Sequence, residues 1–106
     1  MRNLTQFEEF DNEHLTHIEA FVESFAETSH LDRKFLNGAI RMTKPKKLLE
    51  IGVSAGGSSL VMLNAIEDIA GAKLWSVDIS KEWYRDRSKS TGFMAKSICS
   101  SCLMGK

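Results

Sequence analysis

The residues best suited to chemistry are concentrated in Leu48–Ser59, which reads LLEIGVSAGGSS. Gly52 lets the backbone turn sharply away from the apolar run that precedes it. Gly56 and Gly57 keep side chains away from the positions where a ligand would contact the main chain. Ser58 can cap a following helix, whose free N–H groups and partial positive charge suit a carboxylate or a phosphate. The segment therefore predicts a ligand-binding loop that ends in a helix N-terminus.

A second candidate is Asp78, an acid that ends the next apolar run, 26 residues after Gly52. A carboxylate at this point can accept two hydrogen bonds from the hydroxyls of a ribose, which is the role of the acid in the dinucleotide-binding fingerprint. A hydrogen bond to a charged group contributes roughly 1.5–3 kcal/mol. The loop and the acid together predict a site for a cofactor that contains adenosine.

A dinucleotide is one candidate ligand for this loop. Its fingerprint requires G-x-G-x-x-G, whereas this chain has Ser54 between Gly52 and Gly57. The missing glycine is the one that lets a pyrophosphate approach the backbone closely. In addition, the carboxylate of Glu50 lies near the strand end, where an anionic pyrophosphate gains nothing from it. NAD and FAD are therefore disfavoured.

Hydrolysis is another candidate function, because residues 52–56 match the G-x-S-x-G nucleophile elbow in a strand–turn–helix setting. In that motif the order along the chain is serine, acid and then histidine. All three histidines of this chain precede Ser54: His14, His17 and His30. Ser54 therefore lacks a base in the expected position, and a serine hydrolase is disfavoured.

S-adenosylmethionine fits the same residues better. It has no pyrophosphate, so a serine is acceptable at position 54. Its ammonium and sulfonium groups carry positive charge, which the carboxylate of Glu50 favours, while its own carboxylate can bind N–H groups of the loop. Asp78 is then available to the ribose. The residues therefore favour S-adenosylmethionine as the cofactor.

The loop also resembles a known motif. Leu48–Ser59, with its E-(apolar)-G-x-x-x-G-x-S pattern, is similar to the first motif of class I S-adenosylmethionine-dependent methyltransferases, in the branch with catechol- and caffeoyl-CoA-type O-methyltransferases. Val77–Ile79 resembles the second motif of that family, and the similarity covers about residues 32–95. The resemblance implies these roles: Glu50, Gly52, Ser54 and Gly56 on the methionine side of the cofactor, and Asp78 on the ribose.

The elements that must position these residues form a βαβ unit. Lys47–Gly52 predicts a buried strand, and Lys73–Asp78 predicts a second strand with Trp75 in the core. A helix is predicted over residues 58–70, with Gly71 as its C-terminal cap. Strands joined in this way are expected to be parallel.

Helices are predicted before and after this unit. The first spans about residues 12–28, and the second spans about residues 32–42, where Asp32 caps its start and Pro45 ends it. Residues 82–89 predict one more short helix. The expected fold class is α/β: a partial Rossmann-like methyltransferase fold with parallel strands, preceded by an N-terminal helical arm.

We expect the chain to have three parts: a helical arm over residues 1–44, a partial S-adenosylmethionine-binding domain over 45–96, and an irregular tail over 97–106. The family that it resembles has several more strands, and the residues that meet the methyl acceptor follow them. We therefore expect a truncated N-terminal portion of a methyltransferase that is inactive alone. Its small-molecule acceptor and its catalytic base are not assigned. An open strand edge also predicts self-association.

The composition excludes several partners. The 106 residues carry no formal net charge, so no attraction to nucleic acid or membrane is expected. No apolar run reaches the ~20 residues that span a bilayer, and a signal peptide pattern is absent, which predicts a cytoplasmic location. Residues 1–32 nevertheless hold eight acids and one base. The alternative function is therefore a non-catalytic nucleotide-binding or protein-interaction module whose acidic arm docks a partner.

Two pairs of side chains have the spacing of metal ligands, His14-x-x-His17 and Cys99-x-x-Cys102. Nothing in the sequence orients one pair toward the other, and they are far apart in the chain. Two cysteines also form no disulfide framework and fit a reducing compartment. We therefore predict no metal site.

Overall fold

A computed structural model describes residues 4–24 and 28–98 of the chain. Helices and strands alternate through its central part, and two of the strands pair in parallel. The elements are α1 (Leu4–Glu8), α2 (Glu13–Glu23), α3 (His30–Thr43), β1 (Lys47–Ile51), α4 (Gly57–Ile66), β2 (Lys73–Val77), β3 (Glu82–Trp83), β4 (Asp86–Ser90) and α5 (Phe93–Ile98).

The predicted βαβ unit is confirmed. β1 and β2 pair in parallel, from Lys47 opposite Lys73 to Ile51 opposite Val77. α4 connects them and packs against the sheet, because its apolar residues form one cluster with Leu48 of β1 and Leu74 of β2. The chain therefore has the predicted α/β fold class, a partial Rossmann-like fold built around one parallel strand pair.

The helices before the sheet begin close to where they were predicted, but the cap of α3 differs. α2 begins at Glu13 and is described as far as Glu23, while the rest of the predicted 12–28 span includes residues outside the described ranges. α3 begins at His30 rather than at 32, because Ser29 is its N-cap and accepts a hydrogen bond from the Asp32 N–H at 3.1 Å. The prediction that Asp32 caps this helix was therefore wrong. Asp32 lies in its first turn, where a negative charge is favourable.

The end of α3 agrees with the effect of Pro45 on its neighbour. The helix ends at Thr43, one residue beyond the prediction, and Lys44 adopts a left-handed conformation with φ of 51°. A proline disfavours right-handed helical geometry in the residue that precedes it. The turn after this helix is therefore set by local sequence.

α4 is shorter than predicted and is capped differently. It ends at Ile66, and Gly71, with φ of 77°, lies in the turn before β2 rather than at the C-cap. Its N-cap is Gly56, with φ of 98°, and the prediction that Ser58 caps it was wrong. The Ser58 hydroxyl instead donates a hydrogen bond to Glu50.

The helix predicted over residues 82–89 is absent, and β3 and β4 form an antiparallel hairpin there. Asp86 explains the difference. Its Oδ1 accepts hydrogen bonds from the Ser88 N–H at 3.0 Å and from the Ser88 hydroxyl at 2.6 Å. Such local side-chain hydrogen bonds compete with helix formation.

The helices pack on one face of the sheet and on each other. α2, α4 and α5 share a core cluster of Leu15, Val22, Leu60, Val61 and Ala95. α1 packs against α3, where a Cβ atom on Gly38 would overlap the carbonyl oxygen of Phe7. The residues predicted as an N-terminal arm thus contact the rest of the fold through α4.

The described residues do not cover the opposite face of the sheet. Leu49 and Ile51 of β1 are 66% and 80% exposed, and Trp75 of β2, the register partner of Leu49, is 48% exposed. The predictions of a buried first strand and of a core Trp75 were therefore wrong. Parallel sheets are usually covered on both faces, and here the described helices lie on one.

Ion pairs join α2 to α3. The buried Arg33 guanidinium donates to Glu19 at 2.6 Å and to Glu23 at 3.1 Å, and it also donates to the Thr28 carbonyl oxygen. The imidazole of His30 lies 2.5 Å from Glu19. Some of the acids predicted to face a partner are thus used within the fold.

None of the helices in the described ranges combines the length and the apolar character that crossing a membrane requires. Of the residues considered as metal ligands, His14 and His17 lie on α2, and Cys99 and Cys102 lie outside the described residues. A different group gathers at the α2–α3 contact, where ligand atoms of Glu19, Glu23 and His30 lie within 4.8 Å of one another. Arg33 already forms ion pairs with both of these carboxylates.

Candidate functional site

A cleft of about 490 Å³ lies where β1 and β2 end. The described residues that line it are Ile51, Gly52, Val77, Asp78 and Ile79. Ile51 and Val77 are register partners on the uncovered face of the sheet, so the cleft opens on that face. Ligands of open α/β sheets bind outside the carboxyl ends of the strands, which makes this cleft the candidate site.

Asp78 is the ionisable residue among the described residues of the cleft. Its Oδ2 accepts hydrogen bonds from the backbone N–H groups of Val53, at 2.7 Å, and Ser54, at 3.3 Å. Its Oδ1 accepts from the Ser80 N–H at 3.0 Å. These donors, Val53 first, hold the pKa of Asp78 below its usual value. The carboxylate is therefore ionised near neutral pH and ties the end of β2 to the loop after β1.

The loop after β1 is closed on one side by Trp83 of β3, by Gly92 and by the first turn of α5. Ser54, with φ of 56°, accepts a hydrogen bond at its hydroxyl from Trp83 Nε1 at 3.0 Å. Its carbonyl oxygen accepts from the Gly92 N–H at 2.7 Å, and that of Ala55 accepts from the Met94 N–H at 2.9 Å. Hydrogen bonds within the chain thus engage the carbonyl oxygens of the loop on this side.

Glu50 lies away from the cleft. It is 7% exposed and sits on the face of β1 that packs against α4. Its carboxylate accepts hydrogen bonds from the hydroxyls of Ser58 at 2.6 Å, Ser76 at 2.8 Å and Ser59. A buried charge is costly unless it is hydrogen-bonded, and these serines supply the bonds. Glu50 therefore joins β1, β2 and the first turn of α4.

The structure divides the predicted site residues into three groups. Gly52 and Asp78 meet at the cleft. Glu50 and Ser58 belong to the buried serine cluster under α4. The remaining residues form the loop itself and the start of α4: Ser54, Gly56 and Gly57.

Sequence reasoning missed several residues of this region. Ser59 and Ser76 donate hydrogen bonds to Glu50, and the observed register of β1 and β2 places Ser76 beside the acid. Ile51 and Ile79 wall the cleft and stand at the predicted strand ends. Trp83 is buried against Ala55 and Met94.

The chemistry available at the cleft follows from its lining. Ile51, Val77 and Ile79 present an apolar wall to a flat ring. The ionised Asp78 can accept hydrogen bonds from hydroxyl groups. Gly52, with φ of 85°, has no atom within 4 Å of where a Cβ would stand, so a ligand can approach its backbone.

Part of the chain is similar in sequence to a known enzyme. Caffeoyl-CoA O-methyltransferase of Stellaria longipes is 36% identical over 78 residues, which make up 70% of this chain and 32% of that enzyme. The chain therefore spans about a third of the length of this relative. No protein-family model matches the chain. The similarity supports the predicted relation to O-methyltransferases.

Proposed function

We propose that this chain binds S-adenosylmethionine in the cleft at the ends of β1 and β2, as the cofactor-binding portion of an O-methyltransferase-like protein. The observation that carries the proposal is the position of Asp78, which stands beside Gly52 at the carboxyl ends of two parallel strands. Ligands of open α/β sheets bind at this end. The similarity to an O-methyltransferase supports the same cofactor.

The proposed roles follow the positions of the side chains. Asp78 accepts hydrogen bonds from the ribose hydroxyls, and Gly52 allows the ligand to approach the backbone. The other predicted residues hold the loop in shape: Glu50, Ser54, Gly56, Gly57 and Ser58. In this proposal residues 45–96 form the cofactor-binding unit, and the helices within residues 1–44 support α4.

The chain alone is proposed to transfer no methyl group. Among the described residues of the cleft, Asp78 is the ionisable one, and it is proposed to bind the cofactor rather than to deprotonate an acceptor. Methyl transfer to a small-molecule acceptor would then need groups that these residues do not supply. Incubation with S-adenosylmethionine and caffeoyl-CoA should yield no S-adenosylhomocysteine above a protein-free control. Turnover by the purified chain would contradict this part of the proposal.

Calorimetric titration tests the binding proposal. S-adenosylmethionine and S-adenosylhomocysteine should bind the purified chain, and NAD should not. Asp78→Ala should abolish binding, while Asp32→Ala, which removes an exposed acid from the first turn of α3, should leave it intact. Equal binding by both variants would assign the ligand to another surface.

A second function is favoured by the uncovered face of the sheet. An apolar face of this kind suits a protein-interaction module, which was the alternative predicted from the sequence. If none of the three ligands binds in the titration, and circular dichroism shows that the chain is folded, the result would favour that function over cofactor binding.

A further inference from the structure

We propose that Trp83 is a positioning residue for the candidate site, because it fixes, through Ser54, the loop N–H groups that hold Asp78. This role rests on the proposed function, in which Asp78 binds the cofactor. Trp83 lies in β3 and is absent from the described lining of the cleft. It therefore acts on the site through another residue and not by touching a ligand.

The loop after β1 contains a backbone conformation that its sequence disfavours. Residues 53–56 form a turn that is closed by the Gly56 N–H, which donates to the Val53 carbonyl oxygen at 3.1 Å. Ser54, the first of the two central residues, has φ of 56°. Left-handed geometry costs energy in a residue with a Cβ, and turns with a positive φ at this position favour glycine, asparagine or aspartate. The conformation of Ser54 therefore depends on contacts from outside the turn.

Those contacts come from the part of the chain that follows β2. The Ser54 hydroxyl accepts a hydrogen bond from Trp83 Nε1 at 3.0 Å, and its carbonyl oxygen accepts from the Gly92 N–H at 2.7 Å. The next carbonyl oxygen, that of Ala55, accepts from the Met94 N–H at 2.9 Å. The backbone after Ser54 is thus held by two N–H groups, and the Ser54 side chain is held by the indole.

The surroundings of Trp83 restrict the movement of its ring. The residue is 4% exposed and packs with Ala55 and Met94 in one apolar cluster. Its ring centroid lies 5.2 Å from that of Phe93. Protein interiors are close-packed, so these neighbours limit the rotamers that the indole can adopt. A buried indole also requires an acceptor for its N–H, and Ser54 provides one. Trp83 is therefore a rigid donor at a fixed position.

The conformation of Ser54 sets the donors that face Asp78. Val53 and Ser54 donate their N–H groups to Asp78 Oδ2, at 2.7 Å and 3.3 Å. The peptide that joins these two residues lies immediately before the φ torsion of Ser54. Because Gly92 holds the carbonyl oxygen on the other side, a change in this φ would rotate the peptide and turn the Ser54 N–H away from the carboxylate. Loss of the Trp83 hydrogen bond should therefore weaken the contacts of Asp78.

The pKa of Asp78 depends on these contacts. It is lowered by backbone N–H groups, that of Val53 first and then those of Ser80 and Ser54, and no charged side chain of the described ranges contributes. Hydrogen bonds to the ionised form of a carboxyl group lower its pKa, so loss of the loop donors raises it. A change in overall stability does not move this pKa while the chain stays folded. The pKa therefore distinguishes a positioning role from a purely structural one.

NMR titration of the Asp78 carboxyl group in the full, ligand-free chain tests the inference. Trp83→Phe keeps an aromatic ring and removes the N–H donor. The pKa of Asp78 should rise toward the ordinary value of an aspartate, and the Val53 N–H should exchange about three- to tenfold faster. Trp75→Phe makes the same change at a 48% exposed position and should alter neither quantity. An unchanged pKa in a folded Trp83→Phe chain would overturn the inference.

Ser54→Ala tests the same contact from its other side. It removes the acceptor hydroxyl and keeps the Cβ, so the cost of the positive φ remains. It should raise the pKa of Asp78 as Trp83→Phe does, and the double variant should raise it little further. Additive effects would show that the two side chains act separately, which contradicts the proposed role. If Trp83→Phe does not fold, Ser54→Ala decides alone, and an unchanged pKa in that variant overturns the inference.

Calorimetry with S-adenosylhomocysteine separates this role from the proposed function. Trp83→Phe should bind the compound at least about threefold more weakly than the unaltered chain, because Asp78 is less firmly held. Equal affinities would overturn the role of Trp83 and leave the proposed function intact. If the unaltered chain does not bind, the proposed function fails and the role of Trp83 at a cofactor site fails with it.

Discussion

Gly92 lies directly against Gly56. A Cβ atom on Gly56 would stand 2.9 Å from the Cα of Gly92 and 3.0 Å from its carbonyl carbon and oxygen. Gly56, which the sequence predicted to make room for a ligand, therefore makes room for the backbone of Gly92. Gly92 also donates its N–H to Ser54, so the two segments are joined by a hydrogen bond as well as by packing.

Gly56→Ala should destabilise the chain through this contact. Gly71→Ala is the matched control, because Gly71 also has a positive φ but has no atom within 4 Å of a Cβ position. The control should cost roughly 1–2 kcal/mol of unfolding free energy from backbone strain. Gly56→Ala should cost about 1–3 kcal/mol more from overlap with Gly92. Urea denaturation measures both, and equal losses would show that the Gly92 contact is not made.

Asp78 should make stability depend on pH. Its pKa is lowered in the folded chain by the N–H groups of Val53, Ser80 and Ser54. A carboxyl group of this kind stabilises the fold above its unfolded pKa, near 3.9, and the contribution is lost as the pH falls through the folded pKa. Asp78→Asn should therefore lower the unfolding free energy at pH 7 and approach the unaltered chain at pH 3. A constant difference between pH 7 and pH 3 would contradict this account.

The serine cluster around Glu50 should contribute to stability. Ser76→Ala removes one of the hydroxyl groups that donate to this buried carboxylate, and no water can easily replace it there. We expect a loss of about 1–3 kcal/mol of unfolding free energy. Ser90→Ala, at an exposed position that ends β4, should change it by less than about 0.5 kcal/mol. Similar values for the two variants in urea denaturation would argue against the cluster.

Gly38→Ala should reverse the usual sign of a glycine-to-alanine change in a helix. Such a change normally stabilises by roughly 0.5–1 kcal/mol. In α3, however, the new Cβ would overlap the Phe7 carbonyl oxygen of α1. We expect a net loss of about 1–3 kcal/mol in thermal or urea denaturation, because α1 must move. A stabilised variant would show that α1 does not pack at this position.

Local features of the sequence predicted some helix ends and turns correctly and others wrongly. The end of α3 was predictable, because Pro45 acts on the residue next to it. The hairpin at residues 82–90 was not predicted, because it depends on the Asp86 side chain, which accepts hydrogen bonds from Ser88 two residues away, rather than on a hydrophobic period. The cap of α3 was misassigned between Ser29 and Asp32, since both residue types can cap.

The sequence by itself determined the parallel strand pair, the glycine-rich loop between β1 and α4, and the acid that follows β2. These depend on short apolar runs and on turn residues, which act over a few positions. Only the tertiary structure decided what Glu50 contacts, what presses on Gly56, and which sheet face is uncovered. Glu50 meets Ser76 across 26 positions, and Gly56 meets Gly92 across 36. Contacts between such distant residues depend on how whole elements pack, and no local pattern encodes them.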